Sequence, residues 1–149
     1  MGLLNYTTKI EANKTAFEIQ AILAYHGAKA VLIEYGNNKV EAISFKATTP
    51  QGELGFRLPI DVEATLTTLK KQWNLGKVAH RFVDYAQAER VAWRIVKDWV
   101  EAQMAILETG MVKLEQIFLP YALTSSGQTF YERLSQSGFQ LPPGKREGE

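Results

Sequence analysis

The sequence contains no cysteine, and this absence removes several kinds of chemistry at once. Disulfide bonds, thiol nucleophiles and cysteine-ligated metal sites are excluded, and a cysteine-free chain fits a reducing compartment. Histidine is nearly absent too, since His26 and His80 are the two in the chain. They lie far apart and belong to no motif with metal-ligand spacing, so we expect no metal and no cofactor.

Long apolar runs and an excess of one charge are also lacking. No apolar stretch approaches the roughly 20 residues that a membrane-spanning helix needs. The opening residues carry no apolar core of signal-peptide length, so we expect a cytoplasmic protein without a membrane partner. The 17 basic and 16 acidic residues give a net charge of +1. A surface that binds phosphates therefore requires an uneven placement of the basic residues.

The first half of the 149 residues predicts one helix and then three strands. Thr15 and Glu18 have the spacing of a capping box, which predicts a helix over residues 14–26 that ends at Gly27. Three runs rich in β-branched and aromatic residues follow, at residues 28–35, 39–48 and 53–58. Because the turns between them are short and polar, they favour an antiparallel meander.

Beyond Pro59 the apolar period becomes helical. Asp61 is placed to cap one helix, and a long helix follows that begins at Val78 or Tyr85 and ends at Thr109. Shorter helices are predicted over residues 111–118 and 128–134. We therefore expect an α+β fold of order α-β-β-β-α-α, not an oligonucleotide-binding (OB) barrel. The domain is predicted to span residues 1–137, with a disordered tail over residues 138–149.

Catalytic patterns are scarce. The chain has no nucleophile elbow, no P-loop and no dinucleotide-binding motif. Asp98, Glu101 and Glu108 share a helix face and leave open a metal-dependent enzyme that acts on nucleic acid. The pair Lys97 and Glu101, four residues apart, favours the simpler interpretation of an exposed ion pair. We therefore expect a binding protein and not an enzyme.

Basic residues mixed with aromatic ones are the most informative pattern. Proteins that bind single strands without sequence preference combine cations for phosphates with rings on which bases stack. The predicted sheet and the long helix both offer this mixture, and a third cluster follows the helix capped by Asp61. The simpler interpretation is a solvated helix face with tryptophans in the core. The residues predicted to bind nucleic acid are Lys29, Tyr35, Lys39, Lys46, Arg57, Arg90, Trp93, Arg94 and Lys97.

Four segments carry a resemblance to known proteins. They are YTTKI at residues 6–10, HGA at 26–28, and above all QAERVAWRIVKDWVEAQ at 87–103, with FLPY at 118–121. Over about residues 4 to 131 the chain resembles small phage and prophage proteins of mostly unassigned function. The resemblance implies a role beside replication or recombination, with single-stranded DNA binding in the host cytoplasm. It supplies no catalytic residue.

We therefore predict a sequence-independent single-stranded DNA-binding protein, with RNA as the other candidate ligand. A homo-oligomer, and a dimer first of all, is expected because the apolar face of the long helix is wider than a small sheet covers. The alternative is a protein-interaction module, such as a phage inhibitor of a host protein, which fits the nearly neutral charge better. An exposed apolar patch without a basic groove would favour that alternative.

Overall fold

The computed structural model describes residues 1–140 and confirms the predicted α+β class and element order. Two 3₁₀ turns, His80–Phe82 and Leu119–Tyr121, complete the path. The elements are α1 (Ala12–Tyr25), β1 (Ala30–Gly36), β2 (Lys39–Thr49), β3 (Gly52–Arg57), α2 (Val62–Asn74), α3 (Tyr85–Thr109), α4 (Leu114–Phe118) and α5 (Phe130–Gln136).

The predicted tail over residues 138–149 begins inside the described part of the chain. Gly138 and Phe139 still hydrogen-bond to α5, with the Phe139 amide donating to the Leu134 carbonyl at 2.8 Å. The Phe139 ring also lies 5.8 Å from the ring of Tyr131. Residues 141–149 lie outside the described residues. Within residues 1–140, no helix is both long enough and apolar enough to cross a membrane.

The predicted start of α1 is wrong by two residues. Glu11 is the N-cap and its side chain makes no capping hydrogen bond, whereas Thr15 is fully buried inside the helix. Glu18 contacts Arg94 of α3 in place of the backbone at the helix start. The capping-box residues therefore hold α1 against α3. The predicted end is confirmed, because His26 is the C-cap and Gly27 follows with φ +96°.

The three strands form an antiparallel sheet in the order β1-β2-β3, as predicted. The β1–β2 hairpin turns at Asn37 and Asn38, which have φ of 51° and 63°. Two successive residues with positive φ make the tight turn whose twist matches that of the strands, and asparagine tolerates this conformation. The asparagine pair therefore explains both the turn and the register.

A bulge changes which side chains of β2 face the core. Simple alternation predicts Glu41 on the face of Ile43 and Val40 on the opposite face. The register shifts between Glu34 and Tyr35, so that Tyr35 pairs with Val40 and Glu41 is left over. Val40 is 4% exposed, whereas Glu41 is exposed. Because of the extra residue, Val40 and not Glu41 faces the core at the start of β2, and the carboxylate stays in solvent.

The helices pack on one face of the sheet. Phe118 of α4 completes the core there, with its ring centroid 5.2 Å from that of Phe45 and 5.7 Å from that of Trp99. Smaller buried side chains, including Leu69 and Val91, lie where α2 packs on the other side of α3. The apolar surface of α3 is thus covered by α1, α2 and the sheet. The width of this apolar surface, from which a homo-oligomer was predicted, therefore gives no reason to expect one.

Side-chain caps begin both long helices of the second half. Asp61 accepts a hydrogen bond from the Ala64 amide at 2.9 Å, and Asp84 accepts one from the Gln87 amide at 2.7 Å. Each carboxylate satisfies an amide that has no partner inside the helix. Of the two predicted starts of α3, Tyr85 is confirmed and Val78 is wrong, and the predicted end before Gly110, with φ +74°, is confirmed.

Candidate nucleic-acid interface

The sheet residues predicted to bind nucleic acid do not share one surface. Lys46 and Arg57 project from the sheet face opposite the helices, because both are exposed and each lies between two buried neighbours in the chain. Tyr35 belongs to the helix-facing side, where it pairs with Val40 at the sheet edge. Lys39 lies at the end of the hairpin, with its Nζ 3.7 Å from Oε1 of Glu89. These residues do not form one platform for bases.

The exposed sheet face carries cations without rings. Lys29 forms an ion pair with Glu53. The hydrogen bond from Lys29, together with its positive charge, lowers the pKa of the Glu53 carboxyl, and Lys46 contributes less. Phe45 and Phe56 are buried on the opposite face at 2% and 0% exposure. Because no aromatic ring projects from this face of strands β1 to β3, it lacks a surface for stacking.

The middle of the predicted stripe on α3 is structural. Trp93 is fully buried, so its indole cannot stack on a base, and its Nε1 has no hydrogen-bond partner. The Arg94 guanidinium forms an ion pair with Glu18 and also donates to Thr15 Oγ1 at 3.4 Å. The side chain of Arg94 is only 15% exposed. The sequence prediction for Trp93 is therefore wrong, and Arg94 joins α3 to α1.

The two ends of the stripe are also engaged. Arg90 donates through Nε and Nη2 to Oε1 of Gln87, at 3.0 and 2.8 Å. Gln87 donates in turn to the carbonyl oxygens of Tyr6 and Thr8, which ties the N-terminal segment to α3. Lys97 donates to Oε2 of Glu101 at 2.8 Å, as the sequence predicts. The three basic side chains of the stripe thus form hydrogen bonds or ion pairs with neighbouring residues.

A different part of the chain concentrates positive charge. Between Glu63 and Asp84 the sequence has no acidic residue and four basic ones, Lys70, Lys71, Lys77 and Arg81. All four are exposed, and none of them forms an ion pair with another residue of the described chain. We call the following set the basic corner: Lys70, Lys71, Trp73, Lys77, His80, Arg81 and Phe82. The sequence indicates this third cluster, but the nine residues predicted to bind nucleic acid do not include it.

The basic corner brings rings and cations together at the surface. Trp73 is 44% exposed, and its ring centroid lies 4.5 Å from that of His80 at an angle of 48°. Arg81 lies over the ring of Phe82, with its Cζ 4.8 Å from the centroid. The fold holds these residues in place because α2 ends at Asn74, after which the 3₁₀ turn His80–Phe82 leads back towards α3. The corner therefore offers both an exposed indole and unpaired positive charges.

A cleft of about 740 Å³ opens beside the basic corner. Arg81 and Phe82 line one side of it, while Lys9 and Arg90 contribute further positive charge. Glu11 is the acidic residue on its wall, and its Oε1 lies 3.6 Å from Nη1 of Arg90. The cleft thus carries an excess of positive charge, and it extends the corner from α2 to the N-terminal segment.

A second cleft, beside the turn of the β1–β2 hairpin, carries mostly negative charge. It encloses about 550 Å³, and its walls carry Glu41, Asp61, Glu63 and Glu89, with Lys39 as the basic residue. Burial raises the pKa of the Tyr85 phenol there, and the charges of Glu89, Glu63 and Glu41 raise it further. An anionic ligand is repelled by such a site. Lys39 is therefore poorly placed to contact a phosphate.

Asp98, Glu101 and Glu108 each contact a polar side chain of the protein, and Lys97 lies between the first two, 3.9 Å from Oδ1 of Asp98. Asp98 accepts a hydrogen bond from Asn5 Nδ2 at 2.8 Å, and Glu101 accepts one from Lys97. Oε1 of Glu108 lies 2.7 Å from Nε2 of His26. The pKa of His26 is raised, first by its hydrogen bond to the Ile22 carbonyl and then by Glu108. Residues 1–140 contain no group of three or more acidic or histidine side chains that could hold a metal ion.

The chain was compared with protein-family models, with curated proteins and with solved structures. No match was found in any of the three. The resemblance to phage and prophage proteins stays a prediction from the sequence.

Proposed function

We propose that this protein binds single-stranded DNA without sequence preference, through the basic corner. The observation that carries the proposal is the acid-free run between Glu63 and Asp84, which the fold presents around the exposed indole of Trp73. Phosphates would contact the lysines and Arg81, and bases would stack on Trp73 at about 1–3 kcal/mol for each base. The proposed role beside replication or recombination rests on the resemblance alone.

The geometry favours single strands over duplex DNA. A duplex hides the faces of its bases inside the stack, whereas a single strand can turn them outward onto an exposed ring. The basic corner has a half-exposed indole next to an imidazole, on which an unpaired base can stack. Arg57 and Lys46 on the sheet offer charge without rings, so they would contribute only to weak electrostatic attraction.

The proposal is tested by fluorescence anisotropy with a labelled oligo-dT of about 30 nucleotides, titrated over a series of salt concentrations. If the four basic residues of the corner contact phosphates, the plot of log affinity against log salt has a slope of about −3, since each contact contributes about 0.7. Unlabelled duplex of equal length should compete poorly. Absence of binding at low salt, or competition by duplex that equals that of the single strand, would refute the proposal.

A further inference from the structure

The two edges of the sheet are unlike each other. Along β3, Phe56 forms a bridge with Ala122, and the Leu123 amide donates to the Gly55 carbonyl at 2.8 Å. Along β1, no strand of residues 1–140 pairs with the outer edge. This edge presents backbone N–H and C=O groups that another strand can pair with.

The β1 edge also lacks the features that protect edge strands. Its seven residues, AVLIEYG, include no proline and no lysine, and the bulge lies in β2 instead. Glu34 is the single charge of the strand. Leu32 and Tyr35 are 59% and 52% exposed. A regular, apolar and uncovered edge of this kind readily recruits a further strand.

An exposed aromatic ring lies on the side of α1 that faces the hairpin. Asn13 donates to the Asn38 carbonyl and accepts from the Val40 amide, both at 3.1 Å, which fixes the side of α1 that faces the hairpin. Phe17 lies one turn further along this side and is 57% exposed. α1 runs from the hairpin turn back towards the start of β1, alongside the strand. Phe17 thus adds an exposed apolar ring to the helix that lies over β1 and β2.

We infer that β1 pairs with β1 of a second copy of this chain, antiparallel across a two-fold axis. The two three-stranded sheets would then form one sheet of six strands. The strand is complementary to itself, because a register with Leu32 opposite Leu32 places Glu34 opposite Ala30, so no like charges face each other. A two-fold interface requires this self-complementarity. The inference is independent of the proposed function, because it uses a different surface.

The absence of cysteine allows a direct test with the full chain. In Leu32→Cys, the two thiols would face each other across the axis, where the closer kind of antiparallel pair brings Cβ atoms to about 4.5 Å, and would form a disulfide under mild oxidation. Thr48→Cys is the matched control, since Thr48 is exposed on the same sheet face but lies in the central strand. We expect a covalent dimer from the first variant and a monomer from the second on a non-reducing gel. Equal cross-linking of both variants, or of neither, would overturn the inference.

Light scattering after gel filtration gives a second, independent measurement. The wild-type chain should have twice the mass of one chain, and Leu32→Lys should have the mass of one, because two ammonium groups would face each other at the axis. Leu32 is exposed, so circular dichroism should be unchanged and a folding defect can be recognised. A monomeric wild type, or a dimer that persists in Leu32→Lys, would overturn the inference.

Discussion

Reversal of two charges in the basic corner should greatly weaken binding to oligo-dT. We expect the double variant Lys77→Glu, Arg81→Glu to lower the affinity at least about 25-fold at 0.1 M salt. At that salt concentration each lost phosphate contact lowers the logarithm of the binding constant by about 0.7. The salt slope should fall by about 1.4 for the same reason. Both side chains are exposed, so the melting temperature should change little. The measurement is the anisotropy titration of variant and wild type side by side.

A matched double variant distinguishes this site from the sheet. Lys46→Glu with Arg57→Glu makes the same change in charge on the exposed sheet face, where neither residue forms an ion pair with another described residue. It should cost much less affinity, because that face has no ring to add stacking. If the sheet variant lost more affinity than the corner variant, the DNA would lie on the sheet, and the basic corner would be the wrong site.

Removal of the Phe118 ring should have the largest effect on stability. Phe118 is fully buried, and its ring contacts those of Phe45, Phe56 and Trp99. Phe118→Ala should lower the free energy of unfolding by about 3–5 kcal/mol, through lost burial and the cavity left behind. The free energy of unfolding of a chain of this length is roughly 5–15 kcal/mol. The melting temperature of the variant should therefore be more than about 10 °C lower.

The control for this prediction keeps an apolar side chain at the same position. Phe118→Leu fills most of the volume and should cost less than about half as much as the alanine variant. Both are measured by urea unfolding followed through tryptophan fluorescence. If Phe118→Ala lowered the free energy of unfolding by less than about 1 kcal/mol, α4 would not belong to the core.

Local patterns predicted the fold well because its turns and caps are local. Asn37 and Asn38 favour a tight hairpin turn, and Asp61 is placed to cap the helix that follows it. The bulge at Glu41 was not predictable in this way. It lies inside a strand without a glycine or proline to mark it, and it depends on the burial of Val40 against the helices.

The site was predicted less well because it depends on which helix face is covered. The spacing of Arg90, Arg94 and Lys97 correctly indicates one stripe, but spacing does not say what lies opposite it. Arg94 contacts Glu18, which is 76 positions earlier in the chain, so only the tertiary structure reveals the pairing. The sequence itself indicates the basic corner, because a run of basic residues without acids can be seen without the tertiary structure. Its proximity to Lys9 and Arg90 required the fold.

The most direct test of the proposed interface is to locate the bound DNA. Oligo-dT with bromodeoxyuridine in place of some thymidines is bound to the wild-type chain, and the complex is irradiated. The cross-linked tryptic peptides are then identified by mass spectrometry. We expect cross-links in the peptides spanning residues 72–77, 78–81 and 82–90, which carry Trp73, His80 and Phe82. Cross-links confined to other peptides, such as the one that carries Tyr35, would contradict binding at the basic corner.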